Sequence, residues 1–102
     1  MTMEVKINKE GKNVVASLIG RMDTPASQEI APQIEALKAE AAGTIILDCK
    51  ELSYISSSGL RLFLTLRKAA AEKGGKVIVR SIGDEIRNVF IMTGFFNLFE
   101  IE

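Results

Sequence analysis

The chain has 102 residues, with 13 Lys and Arg against 13 Asp and Glu, no His and one Cys, and this length predicts a single domain, 1–102, with a core that needs no staples. Without His there is no Ser-His-Asp triad and no ordinary His-containing zinc site, one Cys excludes an internal disulfide, and zero net charge offers a nucleic-acid backbone no long-range field. The amino-terminal stretch lacks the basic and apolar regions of a secretory signal and no apolar run is long enough to span a bilayer, so a soluble, cytoplasmic protein without membrane insertion is expected.

Met3, Val5 and Ile7 alternate with Glu4, Lys6 and Asn8 in the period-2 pattern of a strand with one wet face, and Asn8-Lys9-Glu10-Gly11 supplies turn chemistry. Val14, Val15, Ala16, Leu18 and Ile19, running to Gly20, predict a second strand hairpinned to the first. Thr24-Pro25 reads as an N-cap with proline at the first helical position. Ala26, Ile30, Ile34, Leu37 and Ala41 then mark one face of an amphipathic helix ended by Gly43. Thr44 to Leu47 is an apolar run without alternation, as expected for a central strand covered on both faces and ending at Asp48. Residues 49–57 are expected to be a connection.

A second helix is expected from about Ser58 to Lys73, with Arg61, Thr65, Lys68 and Glu72 on its polar face and Leu62, Phe63, Leu66 and Ala70 filling the rest. Gly74-Gly75 stops it. Val77 to Val79 repeats the buried-strand signature, and Asp84 to Met92 predicts a third helix with Ile86, Val89 and Phe90 inward, terminated by Gly94. Phe95 to Ile101 is either a last strand or an aromatic plug. The expected architecture is α/β: a mixed sheet of four or five strands with three or more helices, in the order β-β-α-β-α-β-α with a possible final strand. In such sheets function sits at the carboxyl ends of strands, here Gly20 to Thr24 and Asp48 to Gly59.

The most informative stretch is Asp48 to Arg61, where Ser56, Ser57 and Ser58 stand together at the mouth of a helix. One hydroxyl, Ser57 or Ser58, is accounted for as an N-cap contributing about 1 kcal/mol. That leaves Gly59 unexplained, since glycine costs roughly 0.5–1 kcal/mol relative to alanine inside a helix; close approach of a ligand or another backbone would explain it. Asp23 suits helix capping and docking equally. Asp48 with Asp23 makes at most a weak oxygen site, so no metal is assigned. Cys49 reads as a small, partly buried hydrophobe, Arg67 and Lys68 as a solvated helix face or partner contacts, and Phe90, Phe95, Phe96 and Phe99 as packing.

Tyr54-Ile55-Ser56-Ser57-Ser58-Gly59-Leu60, set after an Ile-Ile-Leu-Asp strand and preceded by Gly20-Arg21-Met22-Asp23 before a helix, resembles the STAS domain of bacterial anti-sigma-factor antagonists across essentially the whole chain. The resemblance implies a STAS fold and a partner, an anti-sigma factor that is also a serine kinase of the histidine-kinase-like ATPase fold. By position, Ser57 is the implied phosphorylation site. Asp23, Thr24, Ser56, Ser58, Gly59 and Arg61 are the implied partner-binding residues, and Ser56 stands where the family motif has Asp. That departure changes how a kinase positions Ser57, or marks a member that binds without being phosphorylated.

The reading that follows is a non-catalytic, phosphorylation-controlled binding module. It needs no cofactor, meets a serine phosphatase as a further partner, and is a monomer or weak dimer. Two alternatives stand beside it: a constitutive scaffold or small subunit of a transporter or signalling complex, and a small enzyme or nucleotide-binding protein built on the Ser cluster. The second lacks a Gly-rich phosphate loop, a His or a carboxylate pair.

Overall fold

The computed structural model describes residues 3–102, so the first two residues of the stretch read for a secretory signal lie outside it. Strand β1 (Glu4–Glu10) and strand β2 (Asn13–Met22) form the expected antiparallel hairpin, with Glu4 opposite Ile19 and Glu10 opposite Asn13. Then come helix α1 (Thr24–Leu37), strand β3 (Thr44–Ile55), helix α2 (Ser57–Lys73), strand β4 (Lys76–Arg80), helix α3 (Asp84–Thr93) and the two-residue strand β5 (Glu100–Ile101). The five strands lie side by side in sequence order, and every pairing after the hairpin is parallel, which makes the sheet mixed. Both readings of the C-terminal segment hold: β5 closes the sheet edge, while Phe95 and Phe99 pack edge-on and tilted against Phe90.

All three helices cover one face. Their inward residues, among them Ile30, Ile34, Phe63, Leu66, Ile86 and Phe90, join Val14, Ala16, Leu18, Ile45, Leu47, Val77 and Val79 in one core. The even and odd positions of neighbouring parallel strands thus divide the sheet cleanly, as the alternation of side chains requires. Ile45, Ile46 and Leu47 are all buried, as expected for a strand covered on both faces. Ile46 points the other way and forms a separate row with Val15 and Ile78, its register neighbours, and no helical residue joins that cluster.

Two boundaries move. The first helix ends at Leu37 rather than Gly43, because the chain tightens into a 3-10 turn at Lys38–Glu40 that satisfies late carbonyls from three residues on instead of four, Ala41 N–H to Lys38 and Gly43 N–H to Glu40. Residues 49–55, expected to be a connection, belong to β3. Opposite β2 the register slips between Ser17 and Ile19 and again between Gly20 and Arg21, each time leaving an extra residue in β3. Such bulges break the period of two and bend the strand end.

Candidate functional site

β2 and β3 deliver the site from adjacent carboxyl ends. Met22 and Ile55 are register partners, and the next residue, Ser56, donates its backbone N–H to the Met22 carbonyl at 2.9 Å. The chain therefore leaves the sheet at a defined point and turns directly into α2. Ser56, with extended backbone, is the N-cap: its Oγ accepts from the Gly59 N–H at 3.2 Å and its carbonyl from the Leu60 N–H at 3.0 Å. Neither Ser57 nor Ser58 is the cap, and Ser57 is the first helical residue.

The neighbouring helix start repeats the device. Asp23, not Thr24, caps α1, its Oδ1 accepting from the Ala26 N–H at 2.9 Å, while Thr24 and Pro25 occupy the first turn. A carboxylate is a stronger acceptor than a threonine hydroxyl and suits the positive end of a helix, which is why the cap falls one residue earlier than the Thr-Pro pair indicates. Of the two roles weighed for Asp23, capping is the one its side chain performs here.

A buried hydroxyl pair joins the two starts. Ser27, 2 % exposed, donates its Oγ–H to the Asp23 carbonyl at 2.8 Å and lies 3.5 Å from Ser56 Oγ. With the Ser27 proton committed to a carbonyl, Ser56 is the donor between the two hydroxyls. A relay thus runs from the Gly59 amide through Ser56 and Ser27 to Asp23, leaving neither buried hydroxyl orphaned. Ser27 was not among the residues singled out from sequence; the available signal was a serine beside Ala26 on the buried stripe of α1.

This accounting isolates Ser57. Ser56 is buried at 8 % exposure, Ser58 is half-buried, and Ser57 is exposed with no side-chain partner among the described residues. The Gly59 and Leu60 amides are taken by Ser56, and Ser56's own amide by Met22, so the open donors of the first turn are the amides of Ser57 and Ser58. Thr24 and Arg61 are exposed, and Arg61 borders a shallow hollow of about 230 Å³ with Ser58 and Leu62 of α2 and Gln28 and Ala31 of α1. The sequence-predicted residues Asp23, Thr24, Ser56, Ser57, Ser58, Gly59 and Arg61 are therefore gathered at one end of the sheet.

Gly59 has a packing reason, and the close approach comes from side chains. A Cβ there would meet Ile55 Cγ1 at 2.8 Å and Met22 Cγ at 3.0 Å. Gly59→Ala is expected to destabilise the protein by about 1 kcal/mol, because overpacking of 1–3 kcal/mol outweighs the better helix propensity of alanine. Urea unfolding checks this; equal or higher stability would mean that Ile55 and Met22 simply move aside.

Other candidates fall away from the site. Cys49 is fully rather than partly buried, and burial, with the charge of Asp48 adding to it, pushes its thiol up to about 12, so it remains protonated and packed. Asp48 lies within β3 instead of ending it, its Oδ1 accepting from the Lys50 N–H at 3.0 Å. Arg67 is tied to the C-terminal segment through a bond from its Nε to the Leu98 carbonyl. No helix is long and apolar enough to cross a membrane among the described residues.

The STAS domain family pattern matches residues 4–102. The anti-sigma F factor antagonist of Paenibacillus polymyxa is 26% identical over 102 residues, covering 99% of this chain and 87% of its own length. SpoIIAA in its unphosphorylated form is similar at a TM-score of 0.74 and 24% identity, covering 97% of this chain and 87% of that one. Bacillus SpoIIAA in the phosphorylated form is similar at 0.73 and 25% identity, covering 97% and 91%. With a match from β1 to the last residue and the sheet, helices and Ser-rich helix start in the order the motif requires, the chain belongs to the STAS domain family.

Proposed function

We propose that the protein is an anti-sigma-factor antagonist with no catalytic activity of its own. Unmodified, it binds an anti-sigma factor that is also a serine kinase of the histidine-kinase-like ATPase fold, and so releases the sigma factor. Phosphorylation of Ser57 switches binding off until a serine phosphatase reverses it. The observation that carries the reading is the distinct fate of the three hydroxyls: one is buried as a cap, one is half-buried, and Ser57 alone of the three is exposed, without a side-chain partner among the described residues. The names of the relatives support it, and so does likeness to a structure of a phosphorylated member.

In this scheme Ser57 Oγ attacks the γ-phosphorus of ATP, the bond to the ADP oxygen breaks, and the hydroxyl proton passes to a base on the kinase. Ser56 replaces the motif Asp next to Ser57, and Asp23 has Oδ1 engaged as a cap, so among the described residues no carboxylate is hydrogen-bonded to Ser57 and the base is assigned to the kinase. A phosphate adds a charge of about −1.5 to −2, and burying it against acidic or apolar partner groups costs several kcal/mol, roughly 2–5. At about 1.4 kcal/mol per tenfold, binding is expected to weaken at least 30-fold, roughly, without movement of the backbone.

The test is incubation with ATP and a candidate anti-sigma kinase of the histidine-kinase-like ATPase fold, followed by intact-mass and binding measurements. One phosphate on Ser57, absent in Ser57→Ala, together with weakened binding is the expected result. Undiminished binding by the phosphorylated protein overturns the switch. Failure to take up phosphate while still binding a partner favours the scaffold reading, which Ser56 in place of the motif Asp makes the natural second choice.

A further inference from the structure

Arg61 stands one helical turn after Ser57 on α2, and both are exposed. At this i, i+4 spacing the two side chains share one face of the helix with Cβ atoms about 5–6 Å apart, and the order is the favourable one, with the acid-to-be nearer the amino end. Arg61 is the sole charged residue in the first eight positions of α2, Ser-Ser-Gly-Leu-Arg-Leu-Phe-Leu. Among the described residues it makes no ion pair, and its neighbours around the hollow, Gln28, Ala31, Ser58 and Leu62, are all neutral. The carboxylate named at the site, Asp23 at the start of α1, has Oδ1 committed to the Ala26 amide. A guanidinium with no ion-pair partner among the described residues thus sits within reach of the exposed Ser57 hydroxyl.

Resting on the phosphorylation reading above, we propose that Arg61 is the intramolecular partner of the Ser57 phosphate and is what converts the modification into a change of surface. In the unmodified protein Arg61 presents a free positive charge at the hollow, where it suits a carboxylate of the partner. In the modified protein the guanidinium is drawn to the phosphate, so the surface loses its cation in the same step that it gains an anion. The chemistry is a charge-assisted contact between a guanidinium and phosphate oxygens, for which arginine is the better of the two basic residues.

The test installs phosphoserine at position 57 during translation, with no kinase involved, and titrates the phosphate by phosphorus NMR. A nearby cation favours the dianion, so the second ionisation, ordinarily near pH 6, is expected to lie roughly 0.2–0.4 of a pH unit lower with Arg61 present than in Arg61→Gln. Arg61→Lys is expected to keep part of the shift, and salt at about 1 M to abolish the difference. The open amides of Ser57 and Ser58 act on the phosphate in every variant and cancel from the comparison. The same phosphate titration in Arg61→Gln and the unsubstituted protein at low salt would overturn the contact while leaving the kinase switch standing. Conversely, refusal of a kinase to modify Ser57 would leave the Arg61 contact measurable.

Discussion

Replacing Phe63 with alanine is expected to lower the free energy of unfolding by about 3–5 kcal/mol, the range for truncating a fully buried aromatic ring. Phe63 is 0 % exposed and projects from the middle of α2 onto the core. Its ring meets Phe90 of α3 at 6.1 Å and Phe99 before β5 at 6.3 Å, both near-perpendicular, so one side chain joins the second helix to the third and to the C-terminal edge of the sheet. Edge-to-face pairs add about 0.5–1.5 kcal/mol beyond burial, and alanine forfeits two of them. Against a total stability of about 5–15 kcal/mol for a domain, the loss is large enough to leave a sizeable unfolded fraction at 37 °C. Urea unfolding should show a lower midpoint at unchanged slope. Phe96→Ala is the control: that ring is only half-buried, with Arg87 5.4 Å from its centre, and a smaller loss is expected. A Phe63→Ala protein within about 1 kcal/mol of the original would show that the aromatic cluster collapses onto the vacancy.

The pattern of alternation and helical spacing was enough to order the elements, because most of them bury one clean stripe. Ile30, Ile34 and Leu37, or Phe63, Leu66 and Ala70, are inward in the structure as their spacing requires. The carboxyl end of β3 was illegible for a physical reason: two bulges each insert a residue, so exposed Lys50 and Glu51 fall together and the period of two disappears where the strand continues. A strand bent by its pairing with β2 cannot be recognised from its own residues, since the register slips are properties of the pair.

The caps show the same limit at the site. Three consecutive serines each carry an oxygen able to cap α2, and the choice among them is made by the Ser56 amide bonding to Met22, a contact between residues 34 positions apart in the chain. Once Ser56 is held there, Gly59 is three residues on and donates its amide to the Ser56 hydroxyl, Ser57 is turned outward, and Ser58 toward α1. The family motif singles out Ser57 without revealing this cause. Ser27 escaped notice for the converse reason. A serine inside a helix pattern reads as neutral, and only the approach of Ser56 across the corner gives its buried hydroxyl a function.

The second large effect is expected at Gly75. Gly74 and Gly75 read alike from sequence as a helix stop, yet they do different work. Gly74 closes α2 in the left-handed region, φ 81°, with its amide bonded to the Ala70 carbonyl and nothing within 4 Å of where a Cβ would lie. Gly74→Ala therefore costs about 1–2 kcal/mol, the strain of that conformation for a residue with a Cβ. Gly75 is where the chain passes beneath the loop before β3 so that Lys76 can donate its amide to the Gly43 carbonyl at 3.0 Å and begin β4 opposite Thr44. A Cβ on Gly75 would overlap the carbonyl oxygens of Ala41 and Gly43. Backbone atoms cannot rotate aside, so the β3–β4 register must open or the loop must lift. Gly75→Ala is accordingly expected to cost about 3 kcal/mol or more, at the upper end of overpacking effects, and clearly more than Gly74→Ala. Paired urea unfolding curves decide it, and equal losses would mean that the loop yields freely. The lesion lies at the far end of α2 from Ser57, roughly 25 Å away along a 17-residue helix. Partner binding by Gly75→Ala should therefore fall only in proportion to the folded fraction, while the folded molecules keep Ser57 as exposed as before.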